Sequence, residues 1–447
     1  MNIFFDALVA ISRYLFPILI LFTLILVVID LKREEKSRKS VIWQQLCIIL
    51  YTLLGLLILY VNSRNNNSNI KETFIGQIFM YYVPYLLVVF FVMDLKLKKI
   101  NHSLLNLCIL LLSTGIIFLA RLDYMLAYQQ VIWIIISSFA LIVCILFLRI
   151  PLKFHRFSIL YGIAGVVMLV LPFYFGEDIL GATNWVVIGD FTFQPSEFVK
   201  IILIFFLAST YRKVITMRKF MIGSIVSGCF VLVLVLQNDL GGALIYMMIY
   251  LFMTYLYLEK DIFLIGGLSA VSLCAYLSYM LFGHVQVRVE AWMNPWENIS
   301  TSGYQIAQSL FAISEGGWFG TGLTLGMPGY IPIVTTDFIY AAISEEMGLI
   351  VAIEIICIYL LIFYCITHAP SKRKFDQLIS YGIAIAIMFQ VFLIIGGVIK
   401  FIPVTGVTLP LVSYGGSSIL ASLIMIAVIE SIYLKGEINE HETTKQN

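Results

Sequence analysis

The feature that most limits this chain is its succession of apolar runs. Thirteen of them centre on residues 12–30, 41–61, 74–93, 103–120, 127–148, 157–175, 196–211, 220–236, 240–258, 262–282, 337–365, 377–399 and 413–434. Each is close to the roughly 20 residues that a helix needs to cross the hydrocarbon of a bilayer. With 61% apolar and 12% charged residues over 447 positions, the surface must be apolar as well as the core, which a water-soluble globule does not tolerate. The expectation is an all-α polytopic membrane bundle of about 13 transmembrane helices, because in lipid every backbone polar group must be satisfied internally. Disordered, collagen-like, coiled-coil and disulfide-scaffold classes fail on the same composition. A balance of 28 basic against 26 acidic residues, net +2, offers nucleic acid no basic surface. The seven cysteines all lie in apolar runs without a CxxC pair and read as packing residues. The N-terminus lacks a basic leader region and runs into the first apolar stretch, so it reads as a span and not as a cleaved signal.

The connections carry an orientation. Numbered alternately from an outside N-terminus, the inner set contains KREEKSRK, KLKK, RIPLKFHR, YRKVITMRK, Lys260, SKRK, Lys435 and Lys445. That set holds 21 of the 28 Lys and Arg, and the outer set holds five: Arg64, Lys71, Arg121, Arg288 and Lys400. The positive-inside rule then places the N-terminus outside and the C-terminus in the cytoplasm. Residues 283–336 form the one long connection, on the outer side. It is rich in Gly, Trp and polar residues, and long ordered connections usually carry function.

Ionisable residues in or beside spans are costly and so are functional candidates. Glu197 and Lys200, three apart, share a helix face, either as a structural ion pair or as part of a polar site. Asp239 opens the 240–258 span, as a helix cap or a site residue. Asp337, Glu345 and Glu346 open the 337–365 span. Arg288 is the single basic residue of the long loop, set against Glu290, Glu297 and Glu315. A phosphate-bearing ligand would find Arg288, Lys200 and Lys400, with a divalent cation as a further source of charge. No Walker loop, zinc-spaced His/Cys set or GxSxG elbow is present.

Five stretches taken together, GATNWVVIGDFTFQPSEFVKIILIFFLA, QNDLGGALI, NPWENISTSGYQIAQSLFAISEGGWFGTGL, IPIVTTDFIYAAISEEMGLI and IPVTGVTLPLVSYGGSS, resemble in order the signature segments of the SEDS family. The resemblance covers about three quarters of the chain. It implies a ten-span core over 101–436, preceded by a three-span accessory module (1–100) and followed by a cytoplasmic tail (437–447). It also implies a peptidoglycan glycosyltransferase that polymerises lipid II, carried on undecaprenyl diphosphate, at the outer face of the bacterial cytoplasmic membrane. Such a protein would work beside a class B penicillin-binding protein, in division, cell shape or sporulation. By the resemblance, Glu197, Lys200, Asp239, Asp337 and Trp296 belong to the substrate site. The same holds for Ser413, Gly415 and Gly416 of SYGGSS, a segment with the alternative reading of tight helix packing alone.

The chain departs from the family pattern at the catalytic position. NPW is Asn294, Pro295 and Trp296, followed by Glu297, and the family's base Asp is Asn298. A neutral amide cannot accept a proton. The expected catalytic residues are therefore Glu297 or Asn298 at the base position, with Arg288 near the diphosphate. Two alternatives stand beside this reading: a flippase for the lipid-linked precursor, which an ion pair such as Glu197/Lys200 would suit as part of a polar pathway, and a non-catalytic scaffold that activates a partner synthase, which the missing Asp would suit. Asn184, Ile333 and Thr335 also stand where the family has Arg, Glu and His.

Overall fold

The computed structural model describes residues 3–33, 38–65, 68–96, 100–150, 153–179, 182–188, 191–213 and 216–444. Parts of four expected basic connections (34–37, 97–99, 151–152 and 214–215) and the last three residues of the expected tail, 445–447, lie outside them. The helices follow the apolar runs: α1 (Ile3–Lys32), α2 (Arg38–Asn65), α3 (Asn69–Lys96), α4 (His102–Leu122), α5 (Tyr124–Arg149) and α6 (Ser158–Phe175). After them come α7 (Pro195–Tyr211), α8 (Met217–Leu236), α9 (Leu240–Leu258), α10 (Asp261–Leu281), α11 (Gly283–Met293) and α12 (Tyr304–Gly316). The last three are α13 (Ile339–Thr367), α14 (Lys374–Val398) and α15 (Gly416–Thr444).

Among the described residues, twelve helices are long and apolar enough to cross a membrane. The remaining expected span is α7. Its 17 residues reach about 26 Å at 1.5 Å per residue, a little short of the hydrocarbon. It opens on Pro195, a residue suited to the first helical turn, and packs among α6, α8, α9 and α14.

Helix α4 is the axis of the first half. Every residue from Ser103 to Ala120 is buried, as befits a helix that is apolar all round. Around it α2 packs on α1, α3 and α4, α3 on α5, and α1 on α13. Polar side chains tie these helices together. Gln44 Nε2 donates to Asp30 Oδ2 (2.7 Å), and Asn106 Nδ2 donates to Gln44 Oε1 (2.9 Å). The hydroxyls of Tyr51 and Thr114 lie 3.1 Å apart. Such bonds hold helices together where lipid removes the hydrophobic drive.

Two features depart from a plain bundle. Between α6 and α7, where the sequence reading has a loop, lies an antiparallel meander of β1 (Gly176–Ile179), β2 (Ala182–Ile188) and β3 (Phe191–Phe193). Ile188 pairs with Phe191 and Val186 with Phe193. These β-branched and aromatic residues suit a pleated surface, but their runs are too short to signal a strand against thirteen stronger helical patterns. The Thr183 amide donates to the Gln237 carbonyl (3.2 Å), docking the sheet on the turn between α8 and α9.

The second departure is a break in α13. Gly348 is non-helical, with φ 87° and ψ 171°, and residues 317–322 insert there. The Leu349 amide donates to the Gly317 carbonyl (2.9 Å) and the Thr321 amide to the Glu345 carbonyl (2.9 Å). The long connection thereby satisfies the backbone groups that the break frees. Arg121 Nε, from α4, donates to Glu346 Oε1 (3.0 Å), and Glu345 Oε1 accepts from the Met327 amide (2.6 Å). Glu345 and Glu346 are thus anchors for the loop.

Candidate functional site

The candidate residues gather at the end of the bundle that carries the 283–336 connection. The segment between α14 and α15, residues 399–415, has no regular structure. The prolines at 403 and 410 keep it out of helix, and it forms the seam along which the candidates meet.

On one side of the seam stands the predicted ion pair. Lys200 Nζ donates to Glu197 Oε2 at 3.0 Å and to Gln390 Oε1 at 2.8 Å. Gln390 Nε2 in turn donates to the Thr408 carbonyl (2.8 Å), and Thr408 Oγ1 donates to Ser418 Oγ (2.9 Å). Lys200 is only 2% exposed, so its ammonium is held by the bundle and not offered to solvent. Asp239 caps α9. Its Oδ1 accepts from the Gly242 amide (2.8 Å) and its Oδ2 from Asn184 Nδ2 (2.8 Å). Burial raises its pKa, while these two bonds pull the other way.

On the other side stand Arg288 and Asp337. Arg288 lies on α11, exposed, with Nη1 donating to the Thr405 carbonyl (3.2 Å). Asp337 lies just before α13 and is half-buried. The two meet over Gly406, which has φ +74°. A Cβ there would lie 3.6 Å from Arg288 Nη2 and 3.8 Å from Asp337 Oδ2. Glycine is required for the positive φ, and it leaves the floor between the two charged groups open. Desolvation pushes the Asp337 carboxyl up to about 6, against the opposing pull of Thr336 and the Arg288 charge.

The SYGGSS segment builds the wall beside Asp337. Ser413 Oγ donates to the Thr336 carbonyl (2.5 Å) and accepts from the Leu409 amide (3.0 Å). The Tyr414 amide donates to the Thr335 carbonyl (2.9 Å). Gln130 of α5 brackets the turn, with Nε2 donating to the Ser413 carbonyl (3.0 Å) and Oε1 accepting from the Gly415 amide (3.3 Å). Gly416 opens α15 flat against the Trp133 ring. These bonds hold the backbone on which Asp337 sits.

The NPW turn follows α11. The Asn298 carbonyl accepts from the Thr301 and Gly303 amides (3.0 and 2.9 Å). Glu297 is exposed on the same turn, with no hydrogen bond or ion pair among the described residues. Trp296 is exposed and lies 5.6 Å from the Phe311 ring. Trp292 Nε1 donates to the Lys400 carbonyl (3.1 Å), tying α11 to the seam.

No three His, Cys, Asp or Glu side chains come together as metal ligands among the described residues, and both oxygens of Asp239 are already bonded. The chemistry below is derived from the side chains alone. The sequence reading passed over Gln390, although a lone amide within an apolar span is a signal of its own.

This geometry can be set beside known proteins. The peptidoglycan glycosyltransferase RodA of Mycobacterium bovis is 32% identical over 360 residues, which cover 74% of this chain and 77% of that protein. A chain of a peptidoglycan synthase complex, studied for the coordination of polymerization and crosslinking, matches with a TM-score of 0.64 at 23% identity. The match covers 75% of this chain and 98% of that one. The crystal structure of the rod shape determining protein RodA from Thermus thermophilus matches with a TM-score of 0.57 at 24% identity, over 75% and 97%. At these identities the solved structures speak for the fold. Residues 118–437 match the FtsW/RodA/SpoVE family model, described as cell cycle protein. With its membrane bundle and with most of its length matched, the chain belongs to the FtsW/RodA/SpoVE family.

Proposed function

We propose that this chain is a peptidoglycan glycosyltransferase that polymerises lipid II at the outer face of the bacterial cytoplasmic membrane, in the service of cell shape or division. The observation that carries the mechanism is the meeting of Arg288 and Asp337 over Gly406. Arg288 is exposed and, among the described residues, its guanidinium bonds the Thr405 carbonyl alone, so it is available to the diphosphate of the donor. A carboxyl near 6 is ionised at neutral pH yet basic enough to accept a proton. In the reaction Asp337 takes the proton from the acceptor sugar hydroxyl. The freed oxygen attacks the anomeric carbon of the donor, and the bond from that carbon to the diphosphate oxygen breaks. The lipid diphosphate leaves with the electron pair, stabilised by Arg288. Lys200, Glu197 and Asp239 hold the seam in place, with Ser413, Gly415 and Gly416 shaping the wall. Trp296 offers an exposed ring to the sugar or lipid.

The asymmetry of Lys and Arg supports an outside location for this end of the bundle. A class B penicillin-binding protein is proposed as partner on the family resemblance; a chain of the same fold sits in a synthase complex that coordinates polymerization with crosslinking. The three N-terminal helices are proposed as an accessory module bound to this core.

The test is strand synthesis from labelled lipid II by the purified protein with its transpeptidase partner. Asp337→Asn should lower synthesis by about 100-fold or more, while Glu297→Gln stays active. The reverse pattern would move the base to Glu297. A second reading rests on Asn298, the amide at the family's base position. If the wild type yields no strands and Asn298→Asp does, the chain is a scaffold for a partner synthase.

A further inference from the structure

The end of the bundle opposite the candidate site carries a second feature. A groove of about 1070 Å³ runs between α6, α7 and α8. Its floor is Gly162 and Phe206, and its walls include the exposed apolar side chains of Ile163 and Val167. At its mouth stand His155, Arg156, Arg212 and Lys213. Among the described residues, Arg156, Arg212 and Lys213 take part in neither the Arg121–Glu346 nor the Lys200–Glu197 ion pair and have no other ionic partner. Burial, and after it the charges of Arg212, Arg156, Arg373 and Lys153, hold the His155 imidazole below its ordinary pKa. The mouth is also firmly built. Tyr161 Oη donates to the Phe154 carbonyl (3.1 Å), and the His155 ring packs 6.0 Å from Phe375.

We infer that this groove is a binding site for an anionic glycerophospholipid, with its phosphate on the Arg156–Arg212–Lys213 mouth and an acyl chain along the apolar walls. Three unpaired cations at the end of an apolar groove ask for a ligand that is anionic at one end and a hydrocarbon at the other. A zwitterionic headgroup brings its own cation to the same mouth and gains less. Basic pockets between membrane helices on the cytoplasmic side are suited to anionic headgroups, with each Lys or Arg contributing about fivefold in affinity. The groove lies at the end opposite Arg288 and Asp337, so a bilayer phospholipid there does not compete with the donor. The inference stands independently of the proposed reaction.

The test is competition between phosphatidylglycerol and phosphatidylcholine for the purified full-length protein, with retained lipid read by native mass spectrometry. Phosphatidylglycerol should be retained preferentially. Arg156→Gln, Arg212→Gln and Lys213→Gln together should reduce that preference by about tenfold or more, with unchanged elution and unfolding temperature. Arg156→Lys with Arg212→Lys keeps the charge and should keep the preference, which guards against a folding defect in the neutral variant. Equal retention of the two lipids by the wild type would overturn the site. So would a preference that survives in a folded neutral variant. Displacement of phosphatidylglycerol by sub-stoichiometric undecaprenyl diphosphate would overturn the phospholipid assignment in favour of the precursor carrier.

Discussion

Replacing Lys200 with Met separates a structural cation from a substrate-binding one. The side chains of Lys200 and Glu197 are 3% and 13% exposed. The ammonium has two acceptors, Glu197 Oε2 and Gln390 Oε1. Lys200→Met leaves a part-buried carboxylate without its partner, a change that costs about 3 kcal/mol, the low end of the range for a buried pair. It also leaves the Gln390 oxygen without a donor, for roughly 1–3 kcal/mol more. Glu197→Gln with Lys200→Met removes both charges. Because exchanging a buried pair for neutral side chains of similar size is often close to neutral, most of the loss should return. The double-mutant cycle should therefore show a coupling of about 2 kcal/mol or more. Equilibrium unfolding of the purified protein and strand synthesis from lipid II are measured on the same samples. The expected result is that synthesis follows the folded fraction and is largely restored in the double variant. A Lys200→Met protein as stable as wild type but inactive, with no rescue in the double variant, would refute the structural reading and put the ammonium on the diphosphate.

Three other outcomes follow from the geometry. Gly348→Ala should destabilise the protein strongly, because a Cβ would stand 2.3 Å from the Gly320 nitrogen and 2.4 Å from the Trp318 oxygen; an unfolding curve that matches wild type would remove the break in α13 from the account. Asp337 works as a carboxylate and its pKa stands near 6, so strand synthesis should fall as pH drops through about 6, and a flat rate from pH 7 to pH 5 would exclude Asp337 as the base. Arg288→Ala should abolish synthesis with no change in unfolding, and Arg288→Lys should restore part of it, since a point charge replaces a two-pronged donor; full activity in Arg288→Ala would remove it from the diphosphate site.

Several of these groups were legible before any coordinates. The order of the spans is a property of local hydropathy, and so is the difference between the two ends of the bundle in Lys and Arg. Glu197 and Lys200 were readable as a pair because three residues on a helix share one face. Asp239 was readable as a cap because it stands directly before an apolar run. The signature segments located the end of the bundle where the candidate residues gather, and they exposed Asn298 as a departure.

Other features depend on which helix faces meet. Arg121 finds Glu346 across 225 residues of chain, and Arg288 bonds Thr405 across 117. No local pattern encodes either encounter. The break at Gly348 looks like an apolar span in any hydropathy window, because the backbone groups it frees are satisfied by a loop from elsewhere in the chain. The basic groove is likewise assembled from three helices, whose cations appear in the sequence only as separate connections. Sequence alone determined which runs become long apolar helices and where the basic connections fall between them, since burial in lipid acts on each segment independently. The tertiary structure decided which charges are spent on one another and which remain open to a ligand, because that depends on the rotation and packing of helices far apart in the chain.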